Sequence, residues 1–117
     1  MAAKGVVEGY LDAVATQDWD RLRASVTEDV VREGPFGDVY TGVDSYVEFL
    51  ATLMPTLRGY AMDVARVTYV EDGRRAFAEL SETVEMDGRS TVTPEVLVFD
   101  LDGDERIARV TIYTRSS

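Results

Sequence analysis

The dipeptide Asp87-Gly88, flanked on both sides by long alternating runs, constrains the fold of this chain more than any other feature. Asp-Gly is a strong signal for a two-residue hairpin turn, because both positions tolerate a positive φ angle. Residues 75–86 and 89–101 on either side are therefore predicted to be paired antiparallel strands. A two-residue loop also fixes their register, since pairing begins at the residues that flank the turn.

This register divides the hairpin into two faces of different character. Leu80 falls opposite Glu95, and Glu82 falls opposite Thr93, and paired residues share a face. Because one face is apolar apart from its two carboxylates and its threonines, we expect it to lie beneath the helices. Its members are Ala76, Ala78, Leu80, Glu82, Val84 and Met86 on one strand and Thr91, Thr93, Glu95, Leu97, Phe99 and Leu101 on the other.

The opposite face of the hairpin carries an apolar strip formed by Phe77, Val92, Val96 and Val98. A sheet that left such a strip in water would be prone to association. We therefore expect the chain to form a homodimer through this outer sheet face.

The rest of the chain supplies helices and three further strands. Helical spacing of apolar residues and alternating patterns locate them, and Pro55 should distort the end of the third helix. An α+β fold in a single domain, residues 1–117, with about three helices packed on a curved, mainly antiparallel sheet, accounts for this order. The predicted segments are helices over 3–16, from Asp18, and from Thr41 or Asp44 to about Leu57, and strands over 29–33, 61–70 and 106–114.

The chain contains neither histidine nor cysteine, which excludes several kinds of chemistry. Thiol nucleophiles, disulfides, zinc sites and histidine-based triads all need one of them. We find no metal motif and expect neither a metal nor an organic cofactor. The 22 acidic residues against 12 basic ones argue against nucleic acid or an anionic membrane as a partner. Since no apolar run is long enough to span a membrane and no signal-peptide core is seen, the expected location is the cytoplasm.

Glu82 and Glu95 are the residues best suited to acid/base chemistry. Diagonal neighbours on an antiparallel pair lie roughly 7–8 Å apart at their Cα atoms. A carboxyl group on an apolar, helix-covered face is costly to ionise, and a second carboxylate nearby raises its pKa further. Such a group serves as a general acid or base without histidine. Arg32 offers the alternative, since a direct ion pair with it would lower the pKa of either carboxyl and make both structural.

Several segments, in their order and spacing, resemble the NTF2-like superfamily. They are Val-Val-Glu-Gly-Tyr-Leu-Asp-Ala-Val over 6–14, Gln-Asp-Trp-Asp over 17–20, Glu-Asp-Val-Val-Arg-Glu-Gly-Pro-Phe-Gly over 28–37, Gly42 before the third helix, and the last two hairpins. The resemblance covers nearly the whole chain and is to the branch of ketosteroid isomerases and SnoaL-like polyketide cyclases. It implies a cone, in which a strongly bent sheet wraps around a pocket closed by helices.

The resemblance also implies catalytic positions, and most of them are not matched. Ketosteroid isomerases bind the developing enolate oxygen with a tyrosine on the first helix and a protonated aspartic acid on a strand, while an aspartate before a proline moves the proton. Tyr10 matches the tyrosine. Gly34, before Pro35, stands at the position of the base, and Leu97 stands at that of the protonated acid. The resemblance therefore argues against steroid isomerisation by that mechanism.

Two functions follow from the residues and the resemblance together. The first is a cofactor-free isomerase, cyclase or hydrolase acting on a small, largely apolar polyketide, terpenoid or steroid-like molecule. Glu82 or Glu95 would be its general acid/base, and Tyr10 would donate to a developing oxyanion unless its hydroxyl finds a local partner in the core. The alternative is a non-catalytic small-molecule-binding or accessory homodimeric protein. The residues expected to contact a ligand are Val14, Trp19, Arg32, Phe36, Phe49, Leu53, Met54, Leu80, Leu97 and Phe99.

Overall fold

Three α-helices lie on one face of a six-stranded sheet in the computed structural model, which describes residues 2–115. The predicted α+β class is confirmed, and the predicted helices and strands occur in the predicted order with one further strand. The helices are α1 (Ala2–Thr16), α2 (Trp19–Ser25) and α3 (Val43–Leu53), and the strands are β1 (Val26–Glu33), β2 (Val39–Thr41), β3 (Arg58–Val70), β4 (Arg75–Met86), β5 (Arg89–Leu101) and β6 (Ile107–Thr114).

The helix ends follow from identifiable residues. Asp18 caps α2, since its side-chain Oδ1 accepts a hydrogen bond from the backbone N–H of Arg21 at 3.2 Å. Pro55 distorts the end of the third helix as predicted, because the chain tightens after Leu53 into a 3₁₀ turn, Met54–Thr56. The α-helix itself therefore ends at Leu53, earlier than the predicted end near Leu57. Within residues 2–115, no helix combines the length and the apolar character needed to cross a membrane.

The strands of the sheet lie in the order β2-β1-β6-β5-β4-β3. The β1–β6 pair is parallel, whereas the other neighbours are antiparallel. Strand β2 was not predicted, because three residues are too few to display an alternating pattern. Strands β1 and β3 both begin three residues earlier than predicted.

The hairpin of β4 and β5 has the predicted register throughout. Leu80 pairs with Glu95 and Glu82 with Thr93 across it. At the turn, Asp87 has φ 52° and Gly88 has φ 77°, so both central residues are left-handed, as a type I′ turn requires. The local sequence at the turn therefore determines which side chains share a face more than ten residues away.

The inner face of this hairpin forms the floor of the core, as predicted. Ala76, Ala78 and Phe99 are fully buried under the helices, and exposure increases along the strands toward the turn. The rings of Phe99 and of Tyr10 on α1 form an edge-to-face pair with their centroids 5.4 Å apart. The apolar end of the face thus packs against the helices, and Glu82 and Glu95 lie beyond it.

The residues of the apolar strip on the outer face differ in how far they are exposed to solvent. Val98 is buried on it, whereas Val92 is 58% exposed and Val96 is 36% exposed. Tyr113 of β6 lies opposite Val96 and is 60% exposed. Exposed apolar groups are therefore present on this face, and the homodimer through it stays a prediction.

Gly88→Ala should lower the free energy of unfolding by about 1 kcal/mol, because alanine carries a steric cost at a positive φ that glycine does not. Gly103→Ala is the matched control, since Gly103 has no positive φ and a Cβ at either position meets no atom within 4 Å. Urea unfolding of both variants measures the difference. Equal effects at the two glycines would contradict the argument.

Candidate active site

A cavity of about 120 Å³ lies between the inner face of the sheet and helices α1 and α3. Its wall is mainly aliphatic and aromatic, and five polar or charged side chains interrupt it. The lining residues are Tyr10, Leu11, Val14, Arg32, Tyr46, Phe49, Leu50, Leu53, Met54, Leu57, Met62, Leu80, Glu82, Glu95, Leu97 and Ile112. We call this space the inner cavity.

The carboxyl groups of Glu82 on β4 and Glu95 on β5 share a hydrogen bond in the inner cavity. Burial, followed by the hydrogen bond and the negative charge of Glu82, raises the pKa of Glu95 to about 9. Glu95 is therefore protonated at neutral pH and donates to the Glu82 carboxylate. One carboxyl of the pair is an acid and its neighbour is a base.

Tyr60 of β3 completes this cluster, since its hydroxyl donates a hydrogen bond to Oε2 of Glu82. Burial and the negative charge of Glu82 raise the pKa of the Tyr60 hydroxyl, so that the tyrosine keeps its proton. Tyr60 was not among the predicted site residues. Its place depends on the β3–β4 register, in which two irregularities follow Arg58 and Val64. Such shifts have no reliable signal in a single sequence.

Arg32 of β1 reaches the inner cavity, as predicted, but it does not form the ion pair that would have made the carboxylates structural. Its Nη1 lies 2.8 Å from Oδ2 of Asp38, and its side chain is 11% exposed. Across residues 2–115 the structure contains no ion pair of Arg32 with Glu82 or Glu95. The positive charge acts on Glu95 from a distance, and its lowering of that pKa is smaller than the raising by burial and by Glu82.

Asp38 is held in this position by the loop between β1 and β2. Burial acts to raise the pKa of Asp38, but hydrogen bonds from backbone N–H groups and the pairing with Arg32 together hold it below its usual value. A Cβ on Gly34 would lie 2.3 to 2.5 Å from the carboxylate atoms of Asp38. Gly34, where the resemblance puts a catalytic base, therefore leaves the space in which the Asp38 carboxylate lies.

The hydroxyl of Tyr10 hydrogen-bonds the hydroxyl of Tyr46 on α3, and both side chains are buried. The local partner considered for Tyr10 therefore exists. The pair carries two hydroxyl protons and the bond between them uses one, so the other proton can be donated to a ligand oxygen. Burial raises the pKa of Tyr10, which keeps the hydroxyl protonated.

The structure brings most of the predicted site residues together. The three proposed catalytic residues line the inner cavity, and so do Val14, Arg32, Phe49, Leu53, Met54, Leu80 and Leu97. Three others do not. Phe36 is 90% exposed in the loop, Trp19 packs partly buried against the core, and the Phe99 ring is buried behind Tyr10. The lining residues that were not predicted are Leu11, Tyr46, Leu50, Leu57, Met62 and Ile112.

The polar groups of the cavity suit proton transfer more than metal binding. No cluster of three or more acidic side chains in the described part of the chain could hold a metal ion. The cavity instead offers a protonated carboxyl, a carboxylate, a guanidinium and tyrosine hydroxyls within an apolar wall. Acid, base and oxyanion-stabilising groups are thus all present around one small space.

Residues 7–110 match the model of the SnoaL-like domain, so the chain belongs to the SnoaL-like family. The match runs from within α1 to within β6, so it includes α2, α3 and most of the sheet. A candidate SnoaL-like polyketide cyclase from Shewanella denitrificans and a candidate ketosteroid isomerase from Kribbella flavida share its fold. Together with the family match, this fold places the chain in the NTF2-like superfamily. The expected superfamily and branch are therefore confirmed. The sequence matches no curated protein.

Two of the similar solved structures are candidate polyketide cyclases. One, from Xanthomonas campestris, is 28% identical with a TM-score of 0.78, and the match covers 95% of this chain and 88% of that one. The other, from Pseudomonas putida, is 26% identical with a TM-score of 0.81, covering 97% and 91%. An LEH-like epoxide hydrolase of M. tuberculosis is 22% identical with a TM-score of 0.81, covering 97% and 82%, and shares the fold.

Gly34→Ala should cost about 1–3 kcal/mol of stability, because the new Cβ displaces the Asp38 carboxylate and leaves Arg32 partly buried without its partner. A double-mutant cycle with Asp38→Ala tests this cause. In the Asp38→Ala background the same Gly34→Ala substitution should cost much less. Additive losses in urea unfolding would show that Gly34 acts in some other way.

Glu95→Gln should make the variant progressively more stable, relative to the parent, as the pH rises. The pKa of Glu95 goes from an ordinary 4.5 to about 9 in the folded protein, so between these values the native state holds a proton that the unfolded chain releases. The parent therefore loses stability across this window, by roughly 1–2 kcal/mol once solvent access to a half-exposed group is allowed for. Unfolding curves from pH 4.5 to 9 that stay parallel for parent and variant would contradict the assignment.

Proposed function

We propose that this chain is a cofactor-free acid/base enzyme that acts on a small, largely apolar molecule bearing a reactive oxygen. Polyketide, terpenoid and steroid-like compounds are of this class, and isomerase, cyclase or hydrolase chemistry would follow. The observation that carries the proposal is the hydrogen-bonded pair of Glu82 and Glu95 in a mainly apolar cavity. A protonated carboxyl beside a carboxylate provides both partners of a proton transfer.

For a carbonyl substrate, the two carboxyls act on neighbouring atoms. The substrate oxygen replaces Glu82 as the acceptor of the Glu95 proton, which frees the Glu82 carboxylate to take a proton from the adjacent carbon. The carbon–hydrogen bond and the oxygen–hydrogen bond of Glu95 break, oxygen–hydrogen bonds form on Glu82 and on the substrate, and an enol results. In a substrate with a carbon–carbon double bond next to the reacting carbon, this enol is a conjugated dienol. Glu82 then returns its proton to the far carbon of the dienol while the enol hydroxyl returns its proton to Glu95, which completes an isomerisation without net change in protons.

The same pair serves the opening of an epoxide. Glu95 protonates the departing oxygen while Glu82 takes the proton of the attacking hydroxyl, which restores one proton to the pair. Attack by water gives a diol, and attack by a hydroxyl of the substrate itself gives a ring. The nucleophile that fits the cavity therefore decides between hydrolase and cyclase activity.

Arg32 and the tyrosine pair would stabilise charge on the reacting oxygen. Arg32 pairs with Asp38 and forms no direct ion pair with either catalytic carboxyl, so its positive charge lies near the reacting oxygen. Tyr10 or Tyr46 retains a hydroxyl proton that can be donated to that oxygen. Preorganised donors of this kind contribute most where water is excluded. The names of the similar structures, polyketide cyclase and epoxide hydrolase, support the same reaction classes.

The size of the inner cavity favours a second candidate, a non-catalytic accessory protein. About 120 Å³ is well below the roughly 300–1,000 Å³ of ordinary ligand pockets. Under this alternative the side chains of the protein fill most of the cone, and association through the outer face would be the main activity. The homodimer through Phe77, Val92, Val96 and Val98 is compatible with both candidates, so oligomeric state alone does not distinguish them.

Glu82→Gln should lower kcat by about 10²- to 10⁴-fold while leaving the Kd of the substrate within about threefold, because the amide fills the same space but accepts no proton. A thermal-shift screen of steroids, aromatic polyketides, terpene epoxides and long-chain ketones supplies ligands. Mass spectrometry then follows their conversion. Glu85→Gln, an exposed site on the same strand, is the matched control and should keep full turnover.

The dependence of kcat/KM on pH tests the acid separately. Because Glu95 must hold its proton, activity of the parent should fall as the pH rises through about 9. Glu95→Gln should remove that limb together with most of the activity. Unchanged turnover in both carboxyl variants would overturn the proposal, and ligands that bind without conversion would favour the accessory protein.

A further inference from the structure

An open groove of about 710 Å³ runs along the solvent side of α3, and we call it the outer groove. Its lining mixes apolar rings and methyl groups with hydroxyls. A carboxylate, Glu48, also borders it, which disfavours an anionic occupant. The lining residues are Tyr40, Ser45, Glu48, Phe49, Thr52, Leu53 and Thr56.

The outer groove and the inner cavity share two side chains, Phe49 and Leu53. They lie four residues apart on α3 and therefore next to each other on its surface. Leu53 is 37% exposed although it also lines the inner cavity. The partition between the two spaces is thus formed by side chains.

A second groove lies on the outer face of β5, and side chains alone do not separate it from the inner cavity. It also touches Leu80 and Glu95, but its other strand contacts include Glu79 and Val96, whose side chains point to the opposite side of the sheet. The backbone of the sheet separates that groove from the inner cavity. A passage there would require breaking strand pairing, whereas a passage beside α3 requires a change of rotamer.

Phe49 and Leu53 are held to very different degrees. The Phe49 ring stacks on Tyr40 with centroids 4.2 Å apart, and the guanidinium carbon of Arg32 lies 4.9 Å from its centroid. Leu53 is the last residue of α3, directly before the 3₁₀ turn that contains Pro55, and is partly in solvent. Leu53 is therefore the movable part of the partition and Phe49 its fixed part.

We propose that the outer groove binds the body of the substrate, while the reacting oxygen end alone passes Leu53 into the inner cavity. This inference rests on the proposed function, because it assigns the reacting end to Glu82 and Glu95. A cavity of about 120 Å³ is close to the roughly 150 Å³ cavity that admits a benzene ring, so it holds one end of a larger molecule. The substrate class is then an elongated, uncharged ketone or epoxide whose body carries hydroxyls for Ser45, Thr52 and Thr56.

A homologous series of ketones tests this arrangement. Kd values for 2-butanone, 2-hexanone, 2-octanone and 2-decanone are measured with the intact chain by NMR titration. If the tail enters the outer groove, each methylene beyond 2-butanone should tighten binding by about two- to fourfold, since each buries further apolar surface. If the inner cavity is the whole site, affinity should stop rising or fall once that space is filled.

Thr52→Arg places a long side chain in the outer groove, away from the carboxyl pair. It should weaken binding of 2-decanone by at least tenfold. Each added methylene should then leave the Kd almost unchanged. Ala24→Arg adds the same group at an exposed position of α2, which is outside the groove, and should leave the series unchanged. Leu53→Trp, which enlarges the movable part of the partition, should weaken all four ketones.

The outcomes separate this inference from the proposed function. A gain with chain length that Thr52→Arg removes supports the outer groove as a substrate site. Binding of 2-butanone without such a gain, or a gain that Thr52→Arg leaves intact, overturns the groove and leaves the acid/base proposal standing. A groove-dependent gain together with full turnover in both Glu82→Gln and Glu95→Gln upholds the groove and overturns the proposed function. Failure of all four ketones to bind overturns both.

Discussion

The hydrogen bond between the carboxyl groups of Glu82 and Glu95 sets the chemistry of the space around it. Two adjacent carboxylates repel each other, and an apolar wall offers them little water, so the pair keeps a proton at neutral pH. That proton makes a donor and an acceptor out of two residues of the same type. Tyr60 reinforces the role of Glu82 as the acceptor, because the Tyr60 hydroxyl also donates a hydrogen bond to it. In a chain without histidine, environment alone thus separates an acid from a base.

The positive charge of Arg32 is compatible with the proton that the carboxyl pair retains, because Asp38 binds the guanidinium away from the two carboxyls. A direct contact between Arg32 and Glu95 would lower the pKa of the carboxyl and remove the donor. Arg32 instead pairs with Asp38 at 2.8 Å and lies against the Phe49 ring. A Cβ at position 34 would displace the Asp38 carboxylate from this place. One small residue in a loop therefore influences which charges meet in the cavity.

Features that depend on residues close together in the chain could be predicted from the sequence. Features that depend on contacts between distant segments could not. Asp87-Gly88 determines the β4–β5 register, so the approach of Glu82 and Glu95 was predictable. Tyr60 escaped prediction because bulges in β3 shift its pairing. The hydrogen bond between Tyr10 and Tyr46 depends on how two helices pack against each other, which no local pattern of residues encodes. Asp38 lies in a loop whose path no periodic pattern describes.

The parallel pairing of β1 with β6 has a consequence for the order in which the protein assembles. Arg32 lies opposite Val110, so most of the chain separates the two strands, whereas two residues separate β4 from β5. Hairpins close within roughly 1–10 μs, but pairings between distant segments are slow because a long loop must be ordered first. During synthesis on the ribosome, the arginine side of the cavity must wait for β6 to emerge. The two carboxyls are thus brought together before the guanidinium takes its place beside them.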